Sequence, residues 1–262
     1  MTTKMVDLIA DVGEGFGSYT AADDEAMIEL ISSANIACGF HAGDPTIMKK
    51  TVDLCLKYGV SIGAHPGFPD LRGFGRYAMD LPPEQISADV TYQIGALDGF
   101  CRSRNVPLNH VTPHGRLANL MVTHSQYAGA VASAIYSLEP TLIVVGQEGE
   151  LTRSATALGM KVAHLAVVDR GYADDGQLIR RSEPGALIHD PNEIADRAVQ
   201  MVLEGNVHSA SGKLIPVKAD SVLLHGDKPG SVAAARAVRK ALEAADIQIA
   251  SLPEVVSTKV AT

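Results

Sequence analysis

The chain has 262 residues and a formal net charge of −8, from 30 acidic and 22 basic side chains. A length near 250 residues is common for a single barrel domain, and a hydrophobic content of 46% is that of an ordinary globular protein, which excludes a disordered chain. The acidic balance argues against nucleic-acid binding, which needs clustered Lys and Arg, and no stretch reaches the ~18 apolar residues of a membrane span.

Short apolar runs alternate with longer amphipathic segments along the chain. Seven runs typical of buried strands lie at residues 6–12, 34–40, 60–65, 110–113, 141–146, 161–168 and 221–224. Five segments typical of helices lie at residues 23–31, 44–58, 82–101, 191–203 and 231–245. Asp44 and Asp190 each precede a proline and are predicted to cap the helices that follow. This alternation predicts a parallel α/β sheet with helices outside.

Seven or eight strand–helix units without a linker favour a TIM-like (β/α) barrel, closed or nearly closed, formed by one domain of residues 1–262. An open doubly wound sheet is the alternative. Two stretches interrupt the alternation. Residues 171–185 are polar and contain glycine, which predicts a loop over the active face, and residues 207–216 are predicted to form a small hairpin.

Three cysteines, Cys38, Cys55 and Cys101, are widely spaced and form no CxxC pair. We interpret them as buried thiols of a reducing compartment rather than as a disulfide framework or a zinc site. Residues 1–7 lack the basic start and apolar run of a signal peptide. These features predict a cytoplasmic protein.

Most of the predicted strands share one feature at their carboxyl ends. Six of the seven finish with His, Asp or Glu close to glycine. The residues concerned are Asp11, Glu14, His41, His65, His114, Asp169 and His225. A single such residue is more often a turn or cap residue, but His is not a preferred turn residue, so six strands need another explanation. Because the carboxyl ends of barrel strands form the catalytic face, we predict an enzyme with a histidine–carboxylate site.

The residue types in this predicted site favour hydrolysis or proton transfer, since imidazole titrates near neutrality and carboxylates act as bases. Asp11, His41, His65 and His114 could also converge on a divalent metal. The sequence contains no HExxH motif, and ligands on separate strands cannot be confirmed from spacing. The metal state is therefore left open.

Other motifs carry weaker signals. Arg72 and Arg76 follow His65 in a loop rich in glycine, where a guanidinium could bind a carboxylate. The segment GEGFG at 13–17 resembles a phosphate loop but lacks the GxGxxG spacing and the lysine of GxxxxGK[ST]. The remaining histidines, interpreted as structural or surface residues, are His110, His124, His164, His189 and His208.

Several motifs together resemble the LamB/YcsF family, the A subunits of prokaryotic 5-oxoprolinase. The matching segments are DLIADVGEGFG at 7–17, SANIACGFHAGDP at 33–45, GAHPGFPD at 63–70, YQIGAL at 92–97, PHG at 113–115, DRGY at 169–172 and HGD at 225–227. The match covers nearly the whole chain, and the blocks around His41 and His65 are long and specific.

The resemblance implies a barrel related to the glycoside hydrolase/deacetylase superfamily. It also implies ATP-dependent opening of the 5-oxoproline (pyroglutamate) lactam to L-glutamate, performed together with separate B and C subunits. ATP would be bound mainly by those partner subunits. A histidine would protonate the ring nitrogen and a carboxylate would orient water. The implied catalytic residues are Asp11, Glu14, His41, His65, His114 and Asp169, and the predicted substrate-binding residues are Arg72, Arg76, Arg116, Arg170 and His225. Whether the chain forms a homo-oligomer is left open.

The sequence departs from the family pattern where Ile9, Thr112 and Ala118 replace Asn, Lys and Tyr, and Arg116 is new. Loss of the lysine removes a positive charge beside His114, which is not a conservative change. Arg116 could restore that charge and keep 5-oxoproline as substrate. Alternatively, the pocket accepts another lactam, cyclic imide or amide, or the chain is a metal-dependent deacetylase-like hydrolase acting alone. A non-catalytic binding role is disfavoured by the retained histidines and acids.

Overall fold

The computed structural model describes residues 4–20, 22–227 and 230–260, in which the chain forms ten strands and nine helices. The strands are β1 (Met5–Val12), β2 (Ser33–Ala37), β3 (Ser61–His65), β4 (His110–Val111), β5 (Ile143–Gly146), β6 (Val162–Val167), β7 (Asn206–His208), β8 (Leu214–Pro216), β9 (Ser221–Leu224) and β10 (Gln248–Ile249). The helices are α1 (Asp24–Ile28), α2 (Pro45–Tyr58), α3 (Pro83–Arg102), α4 (Gly115–Leu120), α5 (Ser125–Leu138), α6 (Glu150–Ala157), α7 (Pro191–Glu204), α8 (Ser231–Ala244) and α9 (Leu252–Val260).

Seven parallel strands close into a barrel. Neighbours follow chain order from β1 to β6, and β9 pairs with β6. β9 also pairs with β1, with Asp7 opposite Ser221, and this pairing closes the sheet. β10 adds to the first residues of β1. Closure excludes the open doubly wound sheet and confirms the predicted TIM-like barrel.

Helix boundaries follow the capping residues in the sequence. The Asp44 carboxylate accepts hydrogen bonds from two backbone N–H groups in the first turn of α2, at 2.8 and 3.0 Å, and Asp190 accepts one at the start of α7. Gly59 and Gly205 end these two helices with φ of +68°, a left-handed conformation that favours glycine. Both predicted caps are confirmed.

The two predicted interruptions are also confirmed. β7 and β8 pair antiparallel as a hairpin. The segment between β6 and α7 contains no helix and lines the mouth of the barrel. One strand differs from its prediction: the apolar run at 34–40 leaves the sheet after Ala37, because the backbone turns where Gly39 N–H donates to the Ala42 carbonyl. The remaining predicted strands agree with the observed ones to within two residues at each end.

Buried thiols and apolar side chains fill the space between the barrel and its helices. Cys38, Cys55 and Cys101 are free and buried, as predicted. Burial raises the pKa of Cys38 and of Cys55 to about 12, so these thiols stay protonated. None of the described helices is long and apolar enough to cross a membrane.

A carboxylate lies at the opposite end of the barrel from the predicted site. Asp7 is fully buried and accepts hydrogen bonds from the hydroxyls of Ser32 at 2.7 Å and Ser221 at 2.5 Å. Burial raises the pKa of Asp7 to about 6, and the serine hydroxyls offset burial only in part. As the pH rises, the unfolded chain therefore releases the Asp7 proton at a lower pH than the folded protein does.

We predict that Asp7 lowers the stability of the protein as the pH rises. The folded-state pKa of Asp7, about 6, exceeds its ordinary value of 3.8, so the cost develops between these values and is fully present above pH 6. It amounts to about 3 kcal/mol. We measure the free energy of unfolding of wild type and of Asp7→Asn by urea denaturation at pH 4 and at pH 7. The difference between the two proteins should shift by about that amount toward greater stability of the variant as the pH rises.

Asp196→Asn provides the matched control, because it makes the same substitution at an exposed carboxylate on α7. A difference between wild type and Asp7→Asn that does not change with pH would contradict the assignment.

Candidate active site

Five predicted catalytic residues meet at the carboxyl ends of the first four barrel strands. Asp11 lies in β1 and Glu14 follows it, His65 ends β3, and His41 and His114 follow β2 and β4. All five are at most 6% exposed. The barrel therefore brings together side chains that are up to about a hundred residues apart in the sequence, as the strand-end pattern predicted.

Two backbone carbonyls orient the pair His65 and His114. The His65 Nδ1 lies 2.6 Å from the Thr112 carbonyl oxygen, and the His114 Nε2 lies 2.9 Å from that of Phe74. Because a carbonyl only accepts, each of these nitrogens carries a hydrogen, which assigns the tautomer. The other two nitrogens, His65 Nε2 and His114 Nδ1, face each other at 2.8 Å. When both rings are neutral their lone pairs meet there, so a proton or metal ion between them is stabilising.

Glu14 and His41 complete a four-residue group around that point. Glu14 Oε1 lies 3.4 Å from His41 Nε2 and 3.6 Å from His114 Nδ1. The His41 ring stacks on the His114 ring with centroids 3.8 Å apart. Among the described residues, neither Glu14 Oε1 nor either ring nitrogen of His41 has a hydrogen-bond partner. One potential ligand atom from each of Glu14, His41, His65 and His114 lies within 4.8 Å of the others.

This group resolves which residues could hold a metal. The sequence placed Asp11 with the three histidines, whereas the structure places Glu14 there. Three imidazoles and one carboxylate are a donor set that Zn²⁺ and similar divalent ions accept. The buried polar atoms without partners in Glu14 and His41 are those that such an ion would satisfy, so the residues fit a metal.

Burial shifts the pKa values of three residues in this group, Glu14, His41 and His114. Burial lowers the pKa of His114 well below its usual range, and the neighbouring His41 and His65 lower it further. Burial lowers the pKa of His41 in the same direction, with His65 and Arg76 adding to the effect. Burial raises the pKa of Glu14, and the negative charge of Asp11 adds to that. Neutral imidazoles are the form that binds metals.

A chain of hydrogen bonds holds Asp11 beside the four-residue group. The Asn35 amide donates to Asp11 Oδ1 at 2.9 Å, and His110 Nε2 donates to Asn35 Oδ1 at 3.1 Å. Burial alone would raise the pKa of Asp11, but its interactions with His65, 3.4 Å away, and with His225 and His114 together outweigh burial and hold the pKa below its usual range. Asp11 is therefore the ionised carboxylate of the site.

His110 is structural, as the sequence predicted, but it acts on the site through Asn35. Gly63 makes room for it, since a Cβ at that position would lie 2.0 Å from His110 Nε2. Sequence reasoning missed Asn35 because it is a buried strand residue in the middle of an apolar run. Its only sequence signal is an amide side chain where the strand is otherwise made of small and apolar residues.

Three of the other predicted site residues, Arg76, Arg170 and His225, form a second wall, whereas Asp169, predicted to be catalytic, lines neither of the two cavities described below. His225 donates through Nδ1 to Asp169 at 2.8 Å, and Arg76 pairs with Asp227 at 2.5 Å. Arg170 is buried and donates to the carbonyls of the 171–190 segment, at Ala186 and Ile179. Its visible role is to hold that segment in place.

A cavity of about 850 Å³ opens between these walls, within the usual range for small-molecule sites. It exposes Asp11, His65 and His114, while a smaller cavity of about 340 Å³ reaches Glu14 and His41 from the other side. The predicted substrate-binding residues that line the large cavity are Arg76, Arg116, Arg170 and His225. Arg72 is exposed and lies outside the lining of both cavities.

Two departures from the family pattern, Thr112 and Ala118, line this large cavity together with Arg116, whereas Ile9 is buried in β1. Among the other histidines, His124 caps α5 and His164 pairs with Asp220, which confirms their structural interpretation.

The fold and the site define a class: a closed (β/α) barrel with a buried histidine–carboxylate group at its catalytic face. The chain belongs to the LamB/YcsF family, whose model matches residues 6–257. It is 46% identical over 249 residues to the 5-oxoprolinase A subunit of Brevibacillus brevis, a match that covers 95% of this chain and 98% of the relative.

Solved structures agree with the family assignment. The chain is 44% identical to a lactam utilization protein from Thermus thermophilus, with a TM-score of 0.89 over 94% of this chain and 99% of the other. A T48 deacetylase, 15% identical with a TM-score of 0.51 over 98% of this chain and 92% of the other, shares the fold. The predicted barrel fold is thereby confirmed.

Proposed function

We propose that this chain is the A subunit of an ATP-dependent 5-oxoprolinase, which opens the 5-oxoproline lactam to L-glutamate. The observation that carries the proposal is the convergence of Asp11, His65 and His114 on one wall of the large cavity. The broader class predicted from the sequence, a hydrolase of an amide C–N bond, is confirmed by the family and by the similarity to 5-oxoprolinase A subunits.

The residues in the cavity divide the chemistry of lactam hydrolysis. Water must add to the amide carbon, the C–N bond must break, and the leaving nitrogen must gain a proton. Asp11, which is ionised and lines the cavity, orients the water and accepts its proton. The facing lone pairs of His65 Nε2, 3.4 Å from Asp11 Oδ1, and His114 Nδ1 take up that proton from Asp11 and pass it to the leaving nitrogen.

The partners and location follow from the same proposal. B and C subunits bind ATP and activate the amide, and this chain hydrolyses it, because no phosphate-loop motif is present in its sequence. The three free, buried cysteines are typical of a reducing compartment and support a cytoplasmic location.

Thr112 and Ala118 line the cavity, so a different lactam or cyclic imide is the alternative substrate.

The direct test combines the purified chain with its cognate B and C subunits, 5-oxoproline and ATP, omitting each component in turn. Glutamate release should require this chain. His114→Asn should lower turnover by at least ~100-fold, the lower scale for loss of an acid–base group. His189→Ala is the matched control, since His189 is exposed and lines neither cavity.

Thermal unfolding of each variant separates loss of the site from loss of the fold. Wild-type turnover in a folded His114→Asn chain would contradict the site. If no glutamate forms although an established 5-oxoprolinase homologue of this chain works with the same partners, the substrate is a different amide.

A second candidate function, a metal-dependent hydrolase acting alone, is favoured by the unpartnered Glu14 and His41 atoms. Glu14, His41, His65 and His114 would hold the ion, and Asp11 would keep its role as base. When bound, such an ion polarises a carbonyl or lowers the pKa of water. This candidate differs from the first in needing neither ATP nor partner subunits.

Metal binding is measured independently of activity. We expect titration calorimetry with Zn²⁺ to show one site per metal-free chain, and Glu14→Gln to weaken binding by more than ~10-fold because it removes a charged ligand. His189→Ala should bind as wild type does. No saturable binding to the wild-type chain would eliminate this candidate and leave the proton-transfer assignment of His65 and His114.

A further inference from the structure

The large cavity is rich in positive charge although the protein as a whole is acidic. Five arginines line it, Arg76, Arg116, Arg170, Arg180 and Arg181, while the described lining residues include a single carboxylate, Asp11. The formal net charge of the whole chain is −8. A cleft lined by positive charge attracts a negatively charged ligand, even when the net charge of the protein is negative. The cavity is therefore built for an anion.

Three of these arginines already have an evident role or environment. Arg76 forms an ion pair with Asp227. Arg170 donates to the carbonyls of Ala186 and Ile179 and so holds the loop. Arg180 is exposed to solvent.

The guanidinium groups of Arg116 and Arg181 form no hydrogen bond or ion pair with any residue that the structure describes. Arg181 is partly buried, and burial lowers its pKa, with the positive charge of Arg76 acting in the same direction. The carboxylates that oppose this effect are those at the ends of three barrel strands, Asp227, Asp169 and Asp11. The Arg181 guanidinium thus lies in the cavity at the catalytic end of the barrel, with no hydrogen-bond or ion-pair partner in the part of the chain that the structure describes.

The backbone around Arg181 is fixed. Arg170 holds the segment at Ile179 and Ala186, and the Ile179 N–H donates to the Gly171 carbonyl at 3.0 Å. The Tyr172 and Leu178 backbones also pair across the loop. A charged group carried by an anchored loop is preorganised, so little conformational entropy is lost when a ligand binds to it.

We propose that Arg181 binds the carboxylate of the substrate, and that the cavity therefore selects small cyclic amides that carry a carboxylate. A planar guanidinium donates two parallel hydrogen bonds to a carboxylate, which fixes orientation as well as affinity. This inference rests on the proposed hydrolysis of a lactam at the same site. It adds the residue that recognises the carboxylate, the group that 5-oxoproline carries and the unsubstituted lactam ring lacks.

Direct binding tests the proposal without ATP or partner subunits. Calorimetry of the full chain compares 5-oxoproline with 2-pyrrolidinone, the same lactam ring lacking the carboxylate. The wild-type chain should prefer 5-oxoproline, and Arg181→Gln should lose at least ~10-fold of that preference, because a charge-assisted bidentate contact is removed. Binding of 2-pyrrolidinone should stay within about twofold, since the ring contacts remain.

Two variants serve as controls. Arg236→Gln removes an exposed arginine on α8, outside both cavities, and should bind both ligands as wild type does. Arg181→Lys keeps the charge but not the planar fork, so it should recover only part of the preference. Equal weakening of both ligands in Arg181→Gln would indicate a structural role and overturn the proposal. Loss of the preference in Arg116→Gln but not in Arg181→Gln would also overturn it.

The remaining outcomes separate this proposal from the proposed function. Failure of the wild-type chain to bind 5-oxoproline, or displacement of 5-oxoproline by a lower concentration of inorganic phosphate, would overturn the carboxylate assignment. Carboxylate selectivity that depends on Arg181, together with no glutamate release in the reconstituted system, would refute the 5-oxoprolinase reaction alone. Turnover that is unaffected in Arg181→Gln would refute the role of Arg181 and leave the reaction standing.

Discussion

The site depends on two hydrogen bonds from imidazoles to backbone carbonyls, His65 to Thr112 and His114 to Phe74. Each bond fixes a ring and a tautomer, so the free nitrogens of both rings converge at 2.8 Å. A side-chain acceptor could rotate or titrate, whereas a backbone carbonyl held by the barrel cannot. The chemistry of the site therefore follows from the main-chain path at the ends of β3 and β4.

Closure of the barrel and its glycines make this arrangement possible. The pairing of β9 with β1 brings Asp11 level with the last barrel strand, and a Cβ at Gly226 would lie 2.4 Å from the Asp11 carbonyl oxygen. A Cβ at Gly75 would lie 2.7 Å from the His114 ring, in a backbone with φ of +66°. Small residues at the strand ends thus let the backbone pack directly against the reactive side chains, which keeps the group buried and keeps His41 and His114 neutral.

Sequence reasoning succeeded where local chemistry decides the outcome. Asp44 and Asp190 cap helices as their position before proline predicted, and His41, His65 and His114 meet because parallel strand ends share one face. It failed where the outcome depends on register and side-chain direction between distant segments. Glu14 rather than Asp11 completes the group of possible metal ligands, because Asn35 draws Asp11 to one side. Arg181 was missed because its loop is anchored by Arg170, a contact with no local signature.

The most direct test of this account is the tautomeric state of the imidazoles in the ¹⁵N-labelled protein, read from multiple-bond ¹⁵N–¹H correlations in the rings. Resonances are assigned by single substitution of each histidine. The account predicts hydrogens on His65 Nδ1 and His114 Nε2, and on His110 Nε2 toward Asn35, in the folded protein near neutral pH. A neutral His114 with its hydrogen on Nδ1 and a bare Nε2 would contradict the account, because the Phe74 carbonyl would then not orient that ring.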